Sequence, residues 1–324
     1  MMGQNQPPLL SIIVPVYNAS RTLSRCLSYL LNQTYKNIEI ICVNDCSTDS
    51  SEEIMEHWRQ KYPQQIKCIT TEKRLGPGGA RNHGMTHVSG MYTAFVDSDD
   101  WIDSCLCSVV IQHLLKSGAD IAIYGVKDEY ESPLNSKLRY DYRYCNVIDN
   151  HFALNILSRN NGNDSYVSSM VCQKIFKRSF LQDNNLSFHA TSYYEDDLFT
   201  FQCFTISCKI VMVPNVYYHY YQRPDSITHT FSKKHISDLT AMIEELKQNI
   251  SDRGKWNDYA DIYYAFCDKC IRSTISALFS AEPTVQVQKR YLVFLFTQLQ
   301  TVLPLSEWIG YADIETIKRI LSVY

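Results

Sequence analysis

Tyr92-Thr93-Ala94-Phe95-Val96-Asp97-Ser98-Asp99-Asp100-Trp101 is an apolar run with β-branched and aromatic members that ends in three carboxylates within four residues. Such a run suits a strand buried on both faces, the usual state in a parallel sheet. Carboxylates at the C-terminal end of that strand stand where open α/β sheets bind ligands. Three like charges this close repel one another and call for a cation or wide solvation. Mg²⁺ or Mn²⁺, held by one or two carboxylates together with substrate phosphates, would supply the cation. A second reading has Asp100 or Asp103 cap the following helix and favour its dipole. The two readings are compatible, and capping leaves the shared turn of Asp97 and Asp99 unexplained.

Working outward, Leu9 to Asn18 reads as a buried strand closed by Pro15 and Asn18, followed by helical spacing at Thr22, Leu23, Cys26, Leu27, Leu30 and Leu31. Ile38 to Val43 is a second strand that runs into Asn44-Asp45-Cys46-Ser47-Thr48-Asp49-Ser50, a turn rich in N-cap residues ahead of a helix carrying Ile54, Met55 and Trp58. Ile66 to Thr70 is a short third strand, and Gly76-Pro77-Gly78-Gly79-Ala80-Arg81-Asn82 opens another helix. After the central strand come a helix near 104–116 and a strand at Asp120 to Gly125. This alternation predicts a mostly parallel sheet with right-handed crossovers. From 127 to 165 the pattern dissolves into Tyr, Asn, Asp and Ser, which fits either a hairpin or a long surface loop. Order returns at Tyr166 to Phe176, in a helix near 195–206, and in strand-like Ile210 to Val213 and Tyr217 to Tyr221. Beyond Ser232 the chain reads as helices at about 233–251, 257–280, 284–302 and 306–322.

The 324 residues are 45% hydrophobic and 20% charged, enough for a real core, and the net charge of −3 makes nucleic acid a poor partner. The first eight residues lack the basic and apolar regions of a signal peptide, and no stretch reaches the ~18 apolar residues of a membrane span, so a cytoplasmic location is expected. Twelve cysteines lie scattered, several inside apolar runs, and are expected to be reduced. Cys267-Asp268-Lys269-Cys270 has no second pair spaced to complete a zinc site.

In a parallel sheet, the loops Tyr17-Asn18, Asn44-Asp45, Gly78 to Asn82 and Asp97 to Asp99 would share one edge. They bring an aromatic ring, an isolated carboxylate, an arginine and a metal-binding acid pair, the set that a nucleoside diphosphate needs. A dinucleotide oxidoreductase is excluded, because the turn after the first strand is Tyr17-Asn18-Ala19-Ser20 and the glycines come only at 76. The segments Val14 to Asn18, Val43 to Asp49, Gly76 to Gly84 and Asp97 to Asp100 resemble, in order and spacing, the family 2 glycosyltransferases, with Cys46 standing where that family usually has Gly.

The resemblance implies a GT-A fold over residues 1–232, with a Rossmann-like nucleotide-sugar half at about 9–126, an acceptor half at about 127–232, and a helical C-terminal region at 233–324. It implies an inverting transferase using a nucleotide-sugar, by analogy a UDP-sugar, with Mn²⁺ or Mg²⁺ as cofactor. By the same resemblance Pro15, Val16, Tyr17, Asp45, Gly78, Arg81, Asp97 and Ser98 bind the nucleotide, and Asp99 ligates the metal with His229 as an additional ligand. Tyr194-Glu195-Asp196-Asp197-Leu198-Phe199 resembles the family's Glu-Asp motif, which makes Asp196 the general base, with Asp197 as the competing assignment. Lys174 falls in a stretch similar to one in the family's acceptor half, and Arg223 and Ser226 to Thr228 in one that closes over the diphosphate. The implied acceptor is a glycan or a lipid-linked saccharide. A non-catalytic sugar-nucleotide-binding protein on the same fold is the alternative. The helical tail is read as amphipathic helices completing the core, with a homodimer contact or a peripheral membrane contact as the sharper readings.

Overall fold

The parity of one strand divides the molecule. In a computed structural model, which describes residues 6–158, 167–189, 193–207, 209–222, 231–282, 284–312 and 318, β1 (Leu10–Val16) lies inside a sheet. Its Leu10, Ile12, Val14 and Val16 pack on one face with α1 (Leu23–Leu31) and α4 (Leu106–Ser117), while Ile13 faces the opposite core. The helices fit this layering from their own spacing. Leu23, Cys26, Leu27 and Leu30 of α1 are buried at i, i+3, i+4 and i+7. α4 stops at Gly118, whose φ of 66° is the left-handed closing conformation glycine takes at low cost.

β2 (Ile38–Asn44), β3 (Ile66–Thr70) and β4 (Tyr92–Phe95) run parallel to β1, in the order β3-β2-β1-β4. Between β1 and β2 the register is Leu10↔Ile38 to Val16↔Asn44. The carbonyl of Ile13 accepts from Val96 and that of Val16 from Asp45, so odd residues of β1 face β4 and even ones β2. Pro15, which has no N–H, therefore faces β4 beyond its last paired residue, Phe95, where no ladder bond is lost. The crossovers are α1, α2 (Ser51–Lys61) and α3 (Gly76–Met85).

The far half of the sheet is mixed. With β5 (Trp101–Ile102), β6 (Ile121–Glu129), β9 (Lys174–Lys177) and β10 (Ile210–Tyr221), the order continues β4-β9-β6-β10-β5. β9 is antiparallel to both neighbours, and β6 and β10 are parallel. Gly125 is obligatory here: a Cβ would stand 2.6 Å from the Asn215 carbonyl and 2.7 Å from that of Tyr140. β10 is one strand with register shifts around residues 213–217, where the sequence suggested two.

Three expectations are corrected. Neither Asp100 nor Asp103 caps α4, whose N-cap residue is Cys105. Asp100 accepts hydrogen bonds from β10, and the Asp103 carboxylate meets His219 at 3.0 Å. The two residues of β5, unmarked in the sequence, pair with Tyr218 and His219. The stretch after 127 contains β7 (Lys137–Tyr140) on β6, β8 (Asn146–Ile148) on β10, and α5 (Asn150–Ser158), a helix the sequence did not suggest. α5 buries Ala153, Leu154 and Leu157.

One hydrophobic cluster runs from Ile13, Val43 and Phe95 through α7 (Glu195–Ile206) to α8 (Lys233–Asp252), α9 (Trp256–Ala281) and α10 (Val285–Val302). The tail helices thus complete the core on that face. α6 (Arg178–Asp183) and α11 (Leu305–Trp308) are short, and most of the helix expected at 306–322 lies outside the described residues. Among the described residues no helix is long and apolar enough to cross a membrane.

Candidate active site

The carboxyl ends of β1, β2 and β4 open onto a cavity of about 600 Å³. Pro15, Val16, Tyr17, Asp45, Arg81, Asp97, Ser98, Asp99 and Asp196 all line it. Gly78 does not. Its missing Cβ makes room instead for the His189 carbonyl (2.9 Å), Phe188 (3.2 Å) and Glu195 (3.3 Å), so it lets α3 approach the chain leading to α7. His229, Arg223 and Ser226 to Thr228 lie outside the described residues.

The loops after β1 and β2 are stitched together. Asn18 N–H donates to Ser47 Oγ (3.1 Å), Thr48 N–H to Asn18 Oδ1 (2.7 Å), Ala19 N–H to Ser51 Oγ (2.8 Å) and Ser20 N–H to Asp49 Oδ2 (3.0 Å). The turn needs left-handed backbone at Asn18 (φ 49°) and Cys46 (φ 59°). Asn tolerates this conformation, whereas Cys carries a Cβ penalty. Cys46→Gly is therefore expected to stabilise the protein by about 0.5–1 kcal/mol, less than the full penalty because glycine also loosens the unfolded chain. A denaturant midpoint that fell would show that the Cys46 thiol contact with the Thr71 carbonyl (3.4 Å) outweighs the strain.

Asp45 is buried and holds the entry to α3: Oδ1 accepts from Thr71 Oγ1 (3.0 Å) and Leu75 N–H (2.8 Å), and Oδ2 from Gly76 N–H (2.8 Å). Three donors on about four acceptor positions leave one for a ligand. Tyr17, 38% exposed, lies under the Arg74 guanidinium at 3.9 Å.

Arg81 is the electrostatic centre. Its side chain is 5% exposed, and it donates to Asp97 Oδ1 (2.9 Å), Asp196 Oδ1 (3.0 Å) and Glu195 Oε1 (3.3 Å). One cation thus joins the acids after β4 to the N-terminus of α7. The second Asp196 oxygen accepts from Val171 N–H (3.1 Å). Burial raises Asp196 above the ordinary carboxylate range against the pull of Arg81. Burial and then the Asp196 charge push Glu195 up to about 8. Glu195, raised above its unfolded value, stabilises most at low pH, and that contribution is lost as pH rises through about 8. Glu195→Gln, isosteric with the neutral acid, is expected to match wild type in folding stability at pH 5 and to exceed it at pH 9, by on the order of 1–2 kcal/mol, with Tm rising accordingly. Parallel Tm–pH curves for the two proteins would place the proton elsewhere.

Lys174 is fully buried, donates to the carbonyls of Ser168 and Met170 (2.7 Å each), and is depressed to about 8 by burial. It fixes the segment whose Val171 N–H binds Asp196. Tyr194, at the N-cap of α7, sits in left-handed backbone (φ 62°), and its hydroxyl meets Thr274 Oγ1 of α9 at 2.6 Å. Strain of this kind costs on the order of 1–3 kcal/mol and persists where the surroundings over-determine it.

The sequence profile described as Glycosyl transferase family 2 matches residues 11–183, over half of the chain. The chain belongs to glycosyltransferase family 2. It is 31% identical over 238 residues to "Glycosyltransferase GlyA" of Streptococcus pneumoniae, covering 73% of this chain but 34% of GlyA, so the chain spans about a third of that relative's length. Its fold is GT-A-like. S. aureus TarS 1-349 in complex with UDP-GlcNAc superposes with a TM-score of 0.72 at 20% identity, over 94% of this chain and 84% of that one. A mannosyltransferase from Pyrobaculum calidifontis, in complex with GDP-Man and Mn²⁺, superposes at 0.55 and 14% identity, over 95% and 84%.

The acids of this glycosyltransferase fit a hard divalent cation at Asp97 and Asp99, oxygen donors at the cavity wall. A second group, Asp97, Asp100 and Cys172, has ligand atoms within 4.8 Å of one another. It does not suit such an ion. Burial raises both the Asp100 carboxyl and the Cys172 thiol, and Asp100 is already used by Tyr218 Oη (2.5 Å) and Tyr221 N–H (2.8 Å). Tyr218 Oη also accepts from Asp97 N–H (3.2 Å), so Asp100 and Tyr218 set the turn that presents Asp97 and Asp99. Arg25 braces the same turn, donating to the Asp99 carbonyl (2.6 Å) while lying over Trp101 (4.3 Å). His219 stands apart, its two nitrogens on Glu129 (2.8 Å) and Asp103 (3.0 Å).

Sequence reasoning missed Arg74, Tyr193, Tyr220, His235, Ser273 and Ala277 in the cavity wall. Only Arg74, two residues before the Gly76 turn, carried a local signal. Tyr193 comes from the segment just before α7, and Tyr220, His235, Ser273 and Ala277 arrive from β10, α8 and α9 through tertiary packing.

Proposed function

We propose that this glycosyltransferase moves a sugar from a UDP-sugar to a hydroxyl of a glycan or lipid-linked acceptor, with inversion and with Asp196 as general base, in the cytoplasm or at its membrane surface. The observation that carries this reading is the Arg81 bridge, which sets Asp196 one guanidinium away from Asp97 across a single cavity. A UDP-GlcNAc complex and a GDP-Man–Mn²⁺ complex among the structural neighbours support the donor class.

Asp196 takes the proton of the acceptor O–H while that oxygen attacks the anomeric carbon and the bond to the diphosphate oxygen breaks on the opposite face. Arg81 keeps the base ionised despite burial, and burial makes it a stronger proton acceptor than a solvated carboxylate. Val171 N–H fixes its rotation. Tyr17 and Asp45 receive the nucleoside end. A divalent cation held by Asp97 and Asp99 would offset charge on the departing diphosphate.

The first experiment is calorimetric titration of UDP into wild type and Asp99→Ala, with Mn²⁺ and with EDTA. Binding to wild type is expected to need the metal, and Asp99→Ala to lose at least tenfold in affinity. Tight UDP binding in EDTA would remove the metal from the reading, and failure of UDP, GDP, dTDP and CMP alike would remove the donor.

A further inference from the structure

We propose that Tyr193 is a stacking platform for the sugar ring of the acceptor, held flat by an aromatic stack rooted in the C-terminal helices. The inference deepens the glycosyl-transfer reading and rests on it.

The Tyr193 ring lies on His235 with centroids 3.6 Å apart and planes 27° apart. His235 stacks in turn on Phe231 (5.0 Å, 14°), and Tyr291 of α10 closes the stack edge-on (5.2 Å, 87°). His235 is 7% exposed and cannot swing away: it is in the first turn of α8, with Nδ1 accepting from Ser232 N–H at 3.1 Å. Tyr193 is only half-buried and lines the cavity, so the ring has one face on a fixed backing and surface left for a ligand.

Its place in the cavity assigns the ligand. Tyr17, Asp45 and the Asp97–Asp99 turn follow the ends of β1, β2 and β4, whereas Tyr193 precedes Asp196 by three residues and rests on His235 of α8. The left-handed turn at Tyr194 separates the Tyr193 side chain from α7 and lays it on α8. Ser273 and Ala277, one turn apart on α9, line the same cavity with small side chains that leave room for a ring. A pyranose carries apolar C–H groups on one face, and an aromatic face with its negative quadrupole attracts them, while the sugar hydroxyls remain at the rim. A hydroxyl of a sugar resting on Tyr193 is thereby carried toward Asp196.

The test uses saturation-transfer NMR with the methyl β-glycosides of glucose, galactose and N-acetylglucosamine, on protein saturated with UDP and Mn²⁺. Wild type and Tyr193→Phe are expected to bind at least one glycoside, and Tyr193→Ala to bind it about tenfold or more weakly. UDP affinity, measured separately by calorimetry, is expected to be the same in all three. A wild type that binds UDP but no glycoside overturns the platform, as does undiminished glycoside binding by Tyr193→Ala. A loss of UDP affinity in Tyr193→Ala equal to the glycoside loss, or displacement of the glycoside when UDP-glucose or UDP-GlcNAc replaces UDP, assigns the ring to the donor and also overturns it. Failure of UDP to bind wild type is a failure of the donor reading, visible before any glycoside is added.

Discussion

Asp196→Asn is expected to lower the turnover of sugar transfer by roughly 10³–10⁴-fold while leaving UDP affinity within a fewfold of wild type. Asparagine has a single acceptor oxygen, which keeps the bond from Arg81 and gives up the one from Val171 N–H, and it cannot take a proton. The companion variant Asp197→Asn is expected to keep most activity. Asp197 lines the cavity, and its charge adds to the burial that raises the Cys270 thiol of α9, whereas Arg81 bonds to Asp196. Steady-state assays on the two variants divide the assignments: unchanged turnover in Asp196→Asn, or its collapse in Asp197→Asn, would transfer the base to Asp197.

Arg81→Met carries the largest expected effect on stability. It removes the cation that faces Asp97, Glu195 and Asp196 and leaves carboxylates in a buried site, which costs on the order of 3–5 kcal/mol. The sign of the pH dependence follows. Without Arg81 the folded-state pKa of Asp196, already raised, rises further, and a raised acid favours folding at low pH and loses that contribution as pH rises. The Tm deficit of Arg81→Met should therefore be greatest near pH 8 and shrink toward pH 5. Arg81→Lys, a single charge without the fork, should fall between the two. A deficit independent of pH would mean that Arg81 acts by packing alone.

The β1–β4 side of this site was legible in the sequence because each element there announces itself locally. Buried strands show as apolar runs, and their ends show as Asn18, Asp45 and the Asp97–Asp99 acids. Cys46 could be read as a departure from the family, and its φ of 59° gives the reason that glycine is usual there. The side across Arg81 was legible only as far as Glu195 and Asp196. β5 is two residues long, and α5 sits in a polar stretch whose period is masked by Asn150, His151 and Asn155. Asp100 looked like its neighbours, yet burial and Tyr218, 118 residues away, make it a structural acid. Arg81 was read as a cation for the diphosphate, whereas three carboxylates from two distant segments converge on it, and no spacing rule connects residues 97 and 196. Tyr193 and His235 meet only because α8 packs beside α7.

The bonds that tie the Asn18 loop to Ser47, Thr48, Asp49 and Ser51 mean that the end of the cavity proposed for the nucleoside is shaped before any donor arrives. Little loop ordering is then left to oppose association, so affinity at that end can come from few contacts. A binding end built this way is also hard to retune by drift in one loop, since a change in either strains the other. Donor choice should accordingly shift through side chains that project from the fixed frame, Arg74 over Tyr17 foremost, and acceptor choice through the helices that close the opposite wall.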